Sequence, residues 1–176
     1  DYDYYALLVG DVTGDWSPTG PLRPAPSGDL ANAVRVHVPQ VDASTGSTAT
    51  IPLSMENLRG QGVGSYQFDI TYDPNVIEPA DIAAELTGTM GESLNIVSNS
   101  PEPGLLKVAV YGILPVTGDG VYANLKFNVI GAVGSRTPVD IAWFEFNNGE
   151  ASIAHRNGSI NVAESAGASI KGRLVS

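Results

Sequence analysis

From Val34 onward the chain alternates apolar and polar residues with a period of two. In Val34-Arg35-Val36-His37-Val38 the three valines share one face, opposite Arg35 and His37. Ser65-Tyr66-Gln67-Phe68-Asp69-Ile70-Thr71-Tyr72 sets its rings and Ile70 against Gln67, Asp69 and Thr71. Ile51-Pro52-Leu53-Ser54-Met55, Ala123-Asn124-Leu125-Lys126-Phe127-Asn128-Val129 and Ser159-Ile160-Asn161-Val162 repeat the pattern. Such a period places one row of side chains in a core and the other in water, which is the signature of half-buried antiparallel strands. Turn signals separate them: Thr45-Gly46, Gly60-Gln61-Gly62, Asp73-Pro74-Asn75, Asn147-Asn148-Gly149 and Asn157-Gly158. Eight or nine strands at this spacing, with no apolar stripe of period 3.6 longer than a turn or two, predict an all-β, two-sheet antiparallel sandwich. The expected core face contains Val36, Val38, Ile51, Leu53, Tyr66, Phe68, Ile70, Val108, Val110, Leu125, Phe127, Val129, Ile141 and Ile160. Helix is not expected above about a tenth of the chain; Pro79 to Leu86 is the one segment that reads either as a short helix or as a bulged strand.

The pattern divides the chain into residues 1–16, a strand-like run with an acidic turn; 17–33, a linker; 34–164, the sandwich; and 165–176, a spacer and a further strand. The linker holds Pro18, Pro21, Pro24 and Pro26 among Gly, Ser and Ala, a composition that favours extended geometry over packing. Both ends are apolar where termini are usually polar. Tyr4 to Val9 and Ser169 to Val175 read as strands that cannot fold alone, so Tyr4, Leu7, Leu8, Val9, Ile170 and Leu174 are candidates for pairing with an open sheet edge, in this molecule or a neighbouring subunit. The alternative is that each end packs on its own sandwich or belongs to an adjoining domain.

Composition narrows the chemistry. There is no cysteine among the 176 residues, which removes thiol nucleophiles and thiolate metal sites, and 20 glycines with 12 prolines fit many turns between short elements. With 19 acidic and 9 basic residues the net charge is −10, a surface that repels phosphate backbones and anionic lipid. Nucleic acid is therefore a poor partner, and no run approaches the ~20 apolar residues of a membrane span. The N-terminus lacks the basic start and apolar run of a signal peptide, so the chain reads as an already processed or excised piece.

Several segments resemble the bacterial cohesin domain: Thr48 to Leu58, then Gly64 to Glu78 with Tyr72-Asp73-Pro74-Asn75 at its centre, then Val116 to Phe127, and finally Asn157 to Val162. The resemblance covers about Val34 to Glu164 and implies a nine-stranded jelly-roll sandwich outside the cell, with one sheet face available to bind a dockerin. A separate stretch, Gly10-Asp11-Val12-Thr13-Gly14-Asp15-Trp16-Ser17, is similar to the calcium loop that opens a dockerin repeat. That likeness makes Asp11, Thr13 and Asp15 the first, third and fifth ligands of a Ca2+ ion. Trp16 stands where such a loop needs Gly, and Leu22 where it needs its bidentate carboxylate, so the site is expected to be weak, and the plainer alternative is an acidic turn.

Catalysis finds little support. Asp73, Glu78, Asp81 and Glu85 are close in sequence, but a glycosidase needs two carboxylates across a cleft, which single sandwiches rarely form. His37 falls on the wet face of its strand and His155 at a turn, without ligands at metal spacing, and no G-x-S-x-G motif is present. In Val139 to Phe146, alternation puts Trp143 on one face and Phe144 with Phe146 on the other; the expectation is that both rows are covered. An exposed ring would instead suit a carbohydrate-binding module stacking on polysaccharide. The reading is a non-enzymatic, extracellular or cell-surface adhesion, scaffold or structural module that binds a protein partner, dockerin-like or a neighbouring subunit, through a sheet face or edge. The alternatives are a filament subunit joined by strand exchange and a carbohydrate-binding module.

Overall fold

A computed structural model describes residues 33–147 and 153–165. Among the described residues there are eleven strands: β1 Val34–His37, β2 Gln40–Ser44, β3 Thr48–Glu56, β4 Val63–Thr71, β5 Ile77–Glu85, β6 Asn95–Glu102, β7 Leu105–Val116, β8 Gly120–Val129, β9 Arg136–Phe146, β10 Ile153–Arg156 and β11 Gly158–Ala163. They form two sheets, β10-β1-β3-β8-β5 and β2-β11-β9-β4-β7-β6. The alternating rows of both face inward, and all fourteen residues expected in the core are buried. Pro79 to Leu86 resolves as strand: β5 pairs with β8 through a register shift between Pro79 and Ala84, an irregularity that accommodates the proline and turns Ile82 outward.

The first and last strands each cross between the sheets. β1 lies in the five-stranded sheet and β2 in the other, with Pro39 between them, and β10 and β11 change sheets in the same way at Asn157. The two crossings run side by side, because β1 pairs with β10 and β2 with β11, both in parallel. Counting each crossing pair as one strand leaves the nine that the resemblance implies. Asn157-Gly158, which reads as a tight turn in the sequence, is therefore a strand crossing; the Asn157 carboxamide oxygen accepts the Ile141 N–H at 3.0 Å.

At the centre of the core, Tyr66 is fully buried and donates its hydroxyl to the carbonyl of Tyr122 at 2.6 Å, with the two rings edge to face at 6.0 Å. Burial, with the neighbouring Tyr122 phenol, holds the Tyr66 hydroxyl far above the ordinary tyrosine range. In the unfolded chain the same group ionises near pH ~10. Above that point the unfolded state binds fewer protons than the native state, so stability is intact below about pH 10 and falls as pH rises further. The expected slope is about 1.4 kcal/mol per pH unit for each tyrosine kept neutral by the fold. Urea midpoints measured on either side of about pH 10 should show this loss, and Tyr66→Phe should remove one tyrosine's share of it; an unchanged alkaline slope in the variant would contradict the assignment.

Candidate functional site

The two outer sheet faces differ in chemistry. On the five-stranded sheet the outward surface is mainly polar apart from Pro52 and Ile82, with Thr48, Thr50, Ser54 and Glu56 of β3 beside Asn124, Lys126 and Asn128 of β8, and Lys126 Nζ lies 2.7 Å from Glu85 Oε1. The outer face of β6-β7-β4-β9 carries rings and aliphatic groups instead. Val97, Tyr111 and Trp143 are all substantially exposed there, and Ile113 and Leu114 stand out at the end of β7.

Strand register arranges this face in three rows. Asn99, Lys107, Asp69 and Trp143 form the first; Val97, Ala109, Gln67 and Glu145 the second; Asn95, Tyr111 and Ser65 the third. With strands ~4.8 Å apart and outward residues ~6.7 Å apart along each strand, the rows span roughly 14 Å in either direction. The small side chain of Ala109 leaves a depression of about 260 Å³ bordered by Val97, Trp143, Gln67 and the Lys107–Asp69 pair. Lys107 Nζ lies 2.6 Å from Asp69 Oδ2. Because that pair is half in water it adds little to stability, and its effect is to fix a polar group of each sign at the margin of an apolar surface.

The exposure of Trp143 corrects the expectation that both rows of its strand are covered. Uninterrupted alternation would place Trp143 with Ile141 in the core, but the β4–β9 register shifts between Asp69 and Ile70, opposite the Ile141–Trp143 stretch. The bulge resets the phase. Phe146 is buried, half-buried Phe144 stacks on Phe68 at 5.9 Å and Tyr66 at 6.2 Å, and Trp143 turns to solvent. Tyr66, Tyr72 and Tyr122 are interior, so Tyr111 and Trp143 are the strongly exposed rings among the described residues.

Two side chains brace the rim. Asn147 Oδ1 accepts the N–H groups of Gly64 at 3.0 Å and Ser65 at 3.2 Å, while its Nδ2 donates to the Gly62 carbonyl at 2.6 Å. The Asp119 carboxylate accepts the N–H groups of Asn57 and Leu58, each at 3.0 Å. Neither role is signalled by its sequence context, where Asn147 looks like an ordinary turn residue.

The Cohesin domain family model matches residues 34–162. The chain belongs to the cohesin family. Cohesin domains are non-catalytic protein-interaction modules, which agrees with the absence of an enzyme in the sequence reading. Cellulosomal-scaffolding protein A of Acetivibrio thermocellus is 29% identical over 130 residues, covering 71% of this chain and 7% of that protein. Scaffolding protein B of the same organism is 29% identical over 117 residues, covering 57% of this chain and 14% of that protein. The chain thus spans a small part of either relative. Among solved structures, the sixth cohesin of scaffoldin B from Acetivibrio cellulolyticus, determined in complex with a dockerin, superposes with a TM-score of 0.62 at 24% identity, covering 74% of this chain and 99% of that one. A non-cellulosomal cohesin from the archaeon Archaeoglobus fulgidus gives 0.61 at 22% identity, with 75% and 92% covered. At these identities the likeness establishes the jelly-roll sandwich alone.

Asp11, Thr13 and Asp15 of the calcium reading, and Tyr4, Leu7, Leu8, Val9, Ile170 and Leu174 of the edge-pairing reading, lie outside the described residues. Among the described residues no group of three or more His, Asp or Glu side chains could hold a metal ion, and no helix is long and apolar enough to cross a membrane. Asp73 accepts from the Asn75 N–H at 2.9 Å, and Glu85 is paired with Lys126, so the acidic residues weighed for catalysis include two with structural partners.

Proposed function

We propose that this cohesin domain is an adhesion or scaffold module of an extracellular or cell-surface assembly, and that it seats a dockerin-type protein partner on the outer face of β6-β7-β4-β9. One observation carries the reading: Val97, Tyr111 and Trp143 are exposed together on that face, around a depression, while the opposite sheet is mainly polar and exposes no phenylalanine, tyrosine or tryptophan ring among the described residues. Exposed rings beside a small pocket are the usual anchors of protein interfaces. Calorimetric titration against a panel of dockerin modules tests it. For a dockerin that binds, Trp143→Ala and Tyr111→Ala are each expected to weaken affinity about tenfold or more, whereas Thr50→Ala on the opposite sheet should leave it unchanged. Equal affinity in all three variants would move the interface elsewhere. Retardation on polysaccharide gels that Trp143→Ala relieves would favour the carbohydrate-binding alternative.

Filament assembly by strand exchange is the second reading. β6 closes the six-stranded sheet with eight exposed or half-exposed residues, without proline before Pro101 or charge before Glu102, so it has few of the usual defences of an edge strand. Tyr4 to Val9 of a neighbouring subunit has the composition to pair there. Light scattering at high concentration should then show assemblies that deletion of residues 1–16 dissolves; a full-length chain that is monomeric throughout rules strand exchange out.

A further inference from the structure

On the side of the molecule away from the ring-bearing face, β1 and β10 border a groove of about 360 Å³. The strands run parallel, with Arg35 opposite Ala154 and His37 opposite Arg156. Ala154 is short, and it leaves open the space between Arg35 and Arg156. His155 also borders the groove, although its register partner is the buried Val36, which puts it in the other row of β10 from Ala154 and Arg156. Among the described residues the one carboxylate in the lining is Glu56, whose Oε1 is 4.0 Å from His37 Nδ1.

Elsewhere among the described residues the lysines and arginines have partners. Lys107 is paired with Asp69 and Lys126 with Glu85, Arg136 Nη2 donates to Ser159 Oγ at 3.2 Å, and Arg59 Nε donates to Asn57 Oδ1 at 2.9 Å. Arg35 and Arg156 form no hydrogen bond or ion pair with any described residue. Both guanidinium groups line one groove in a chain of net charge −10, and among the described residues neither is within ion-pair distance of a carboxylate, although Glu56 stands opposite Arg35 in the β1–β3 register. Guanidinium forks match carboxylates in geometry and hold them by charge-assisted hydrogen bonds.

We infer that the β1–β10 groove binds an extended acidic peptide segment of a protein partner, one carrying carboxylates at alternate positions. The spacing supports a peptide over a single ion. Arg35 and His37 lie on the same face of β1, two residues and so ~6.7 Å apart, and Arg156 stands beside His37. Alternate side chains of an extended peptide repeat at that same interval, so successive carboxylates would meet Arg35 and then the His37–Arg156 pair. The groove belongs to the five-stranded sheet, so it can be filled while a partner occupies the other sheet, and the domain would then join two proteins.

The full-length chain, labelled for amide NMR, tests this by titration with an end-blocked peptide in which three glutamates alternate with threonine. Shifts centred on Arg35, His37, Ala154 and His155, weakening with added salt, are expected. Arg35→Gln combined with Arg156→Gln should reduce affinity about tenfold or more, while Glu56→Gln, which removes the opposing carboxylate, should tighten it. Trp143→Ala should have no effect, which separates this site from the proposed dockerin face. Three results overturn the inference: no shifts at the groove, no gain on Glu56→Gln, or shifts of equal strength with inorganic phosphate, which would mark an adventitious ion only.

Discussion

Phe68→Ala and Phe127→Ala are each expected to lower the free energy of unfolding by about 3–5 kcal/mol. Both rings are fully buried, Phe68 in the six-stranded sheet and Phe127 in the five-stranded one, so the pair samples the core from either side. Phe68 stacks on Tyr66 at 6.3 Å and on Phe144 at 5.9 Å. Phe127 meets Tyr72 edge to face at 5.1 Å. Removing either ring forfeits the transfer free energy of its apolar area and leaves a void that flanking aromatics, fixed by their own packing, close only in part. Phe144 is half-buried and has room to shift, so Phe68→Ala should fall nearer the lower end of the range. Domains of this kind are stable by only about 5–15 kcal/mol, so either loss is a large fraction of the whole. Urea unfolding at neutral pH measures it, and a loss below about 1 kcal/mol at both positions would mean that the inner face has been misassigned.

That face was legible in the sequence because its residues alternate along β3 and most of β4 and β8, where one row is buried and the other wet. Legibility ended where alternation breaks. The bulge opposite Asp69 and Ile70 reverses the phase of β9 and exposes Trp143, and a bulge depends on how two strands pair, which neither strand's composition records. β6 was invisible for a different reason: Asn95 to Glu102 lies mostly in water on an edge, so burial imposes no pattern on it. The proposed partner face therefore combines a strand, a bulge and a half-buried, outward-facing alanine that no local signal marks. The groove at Arg35 and Arg156 is likewise a product of parallel pairing between segments 119 residues apart at Val34 and Ile153, and becomes evident only in three dimensions.

The crossing at Asn157-Gly158 supports the second large effect. A methyl group placed on Gly158 would lie 2.2 Å from the Pro39 carbonyl oxygen and 2.8 Å from that of Val38, both main-chain atoms at the companion crossing. The backbones are pressed together because β1–β2 and β10–β11 change sheets side by side, with the Ser159 N–H reaching the Pro39 carbonyl and the Val38 N–H that of Arg156. A flexible side chain could swing away from such a contact, but here two strands must separate. Overpacking against backbone puts the expected cost of Gly158→Ala at about 3 kcal/mol or more. Gly46→Ala provides the comparison. Gly46 has φ of +78° and no atom within 4 Å of the added carbon, so it carries the penalty of a left-handed backbone without any crowding, about 1–2 kcal/mol. If crowding governs the crossing, Gly158→Ala should be the more destabilising of the two in urea and should also disturb amide signals of Val38 and Arg156 on the neighbouring strands. A cost at Gly158 no larger than that at Gly46 would show that the two crossings can move apart, and that the groove they border is not held rigidly.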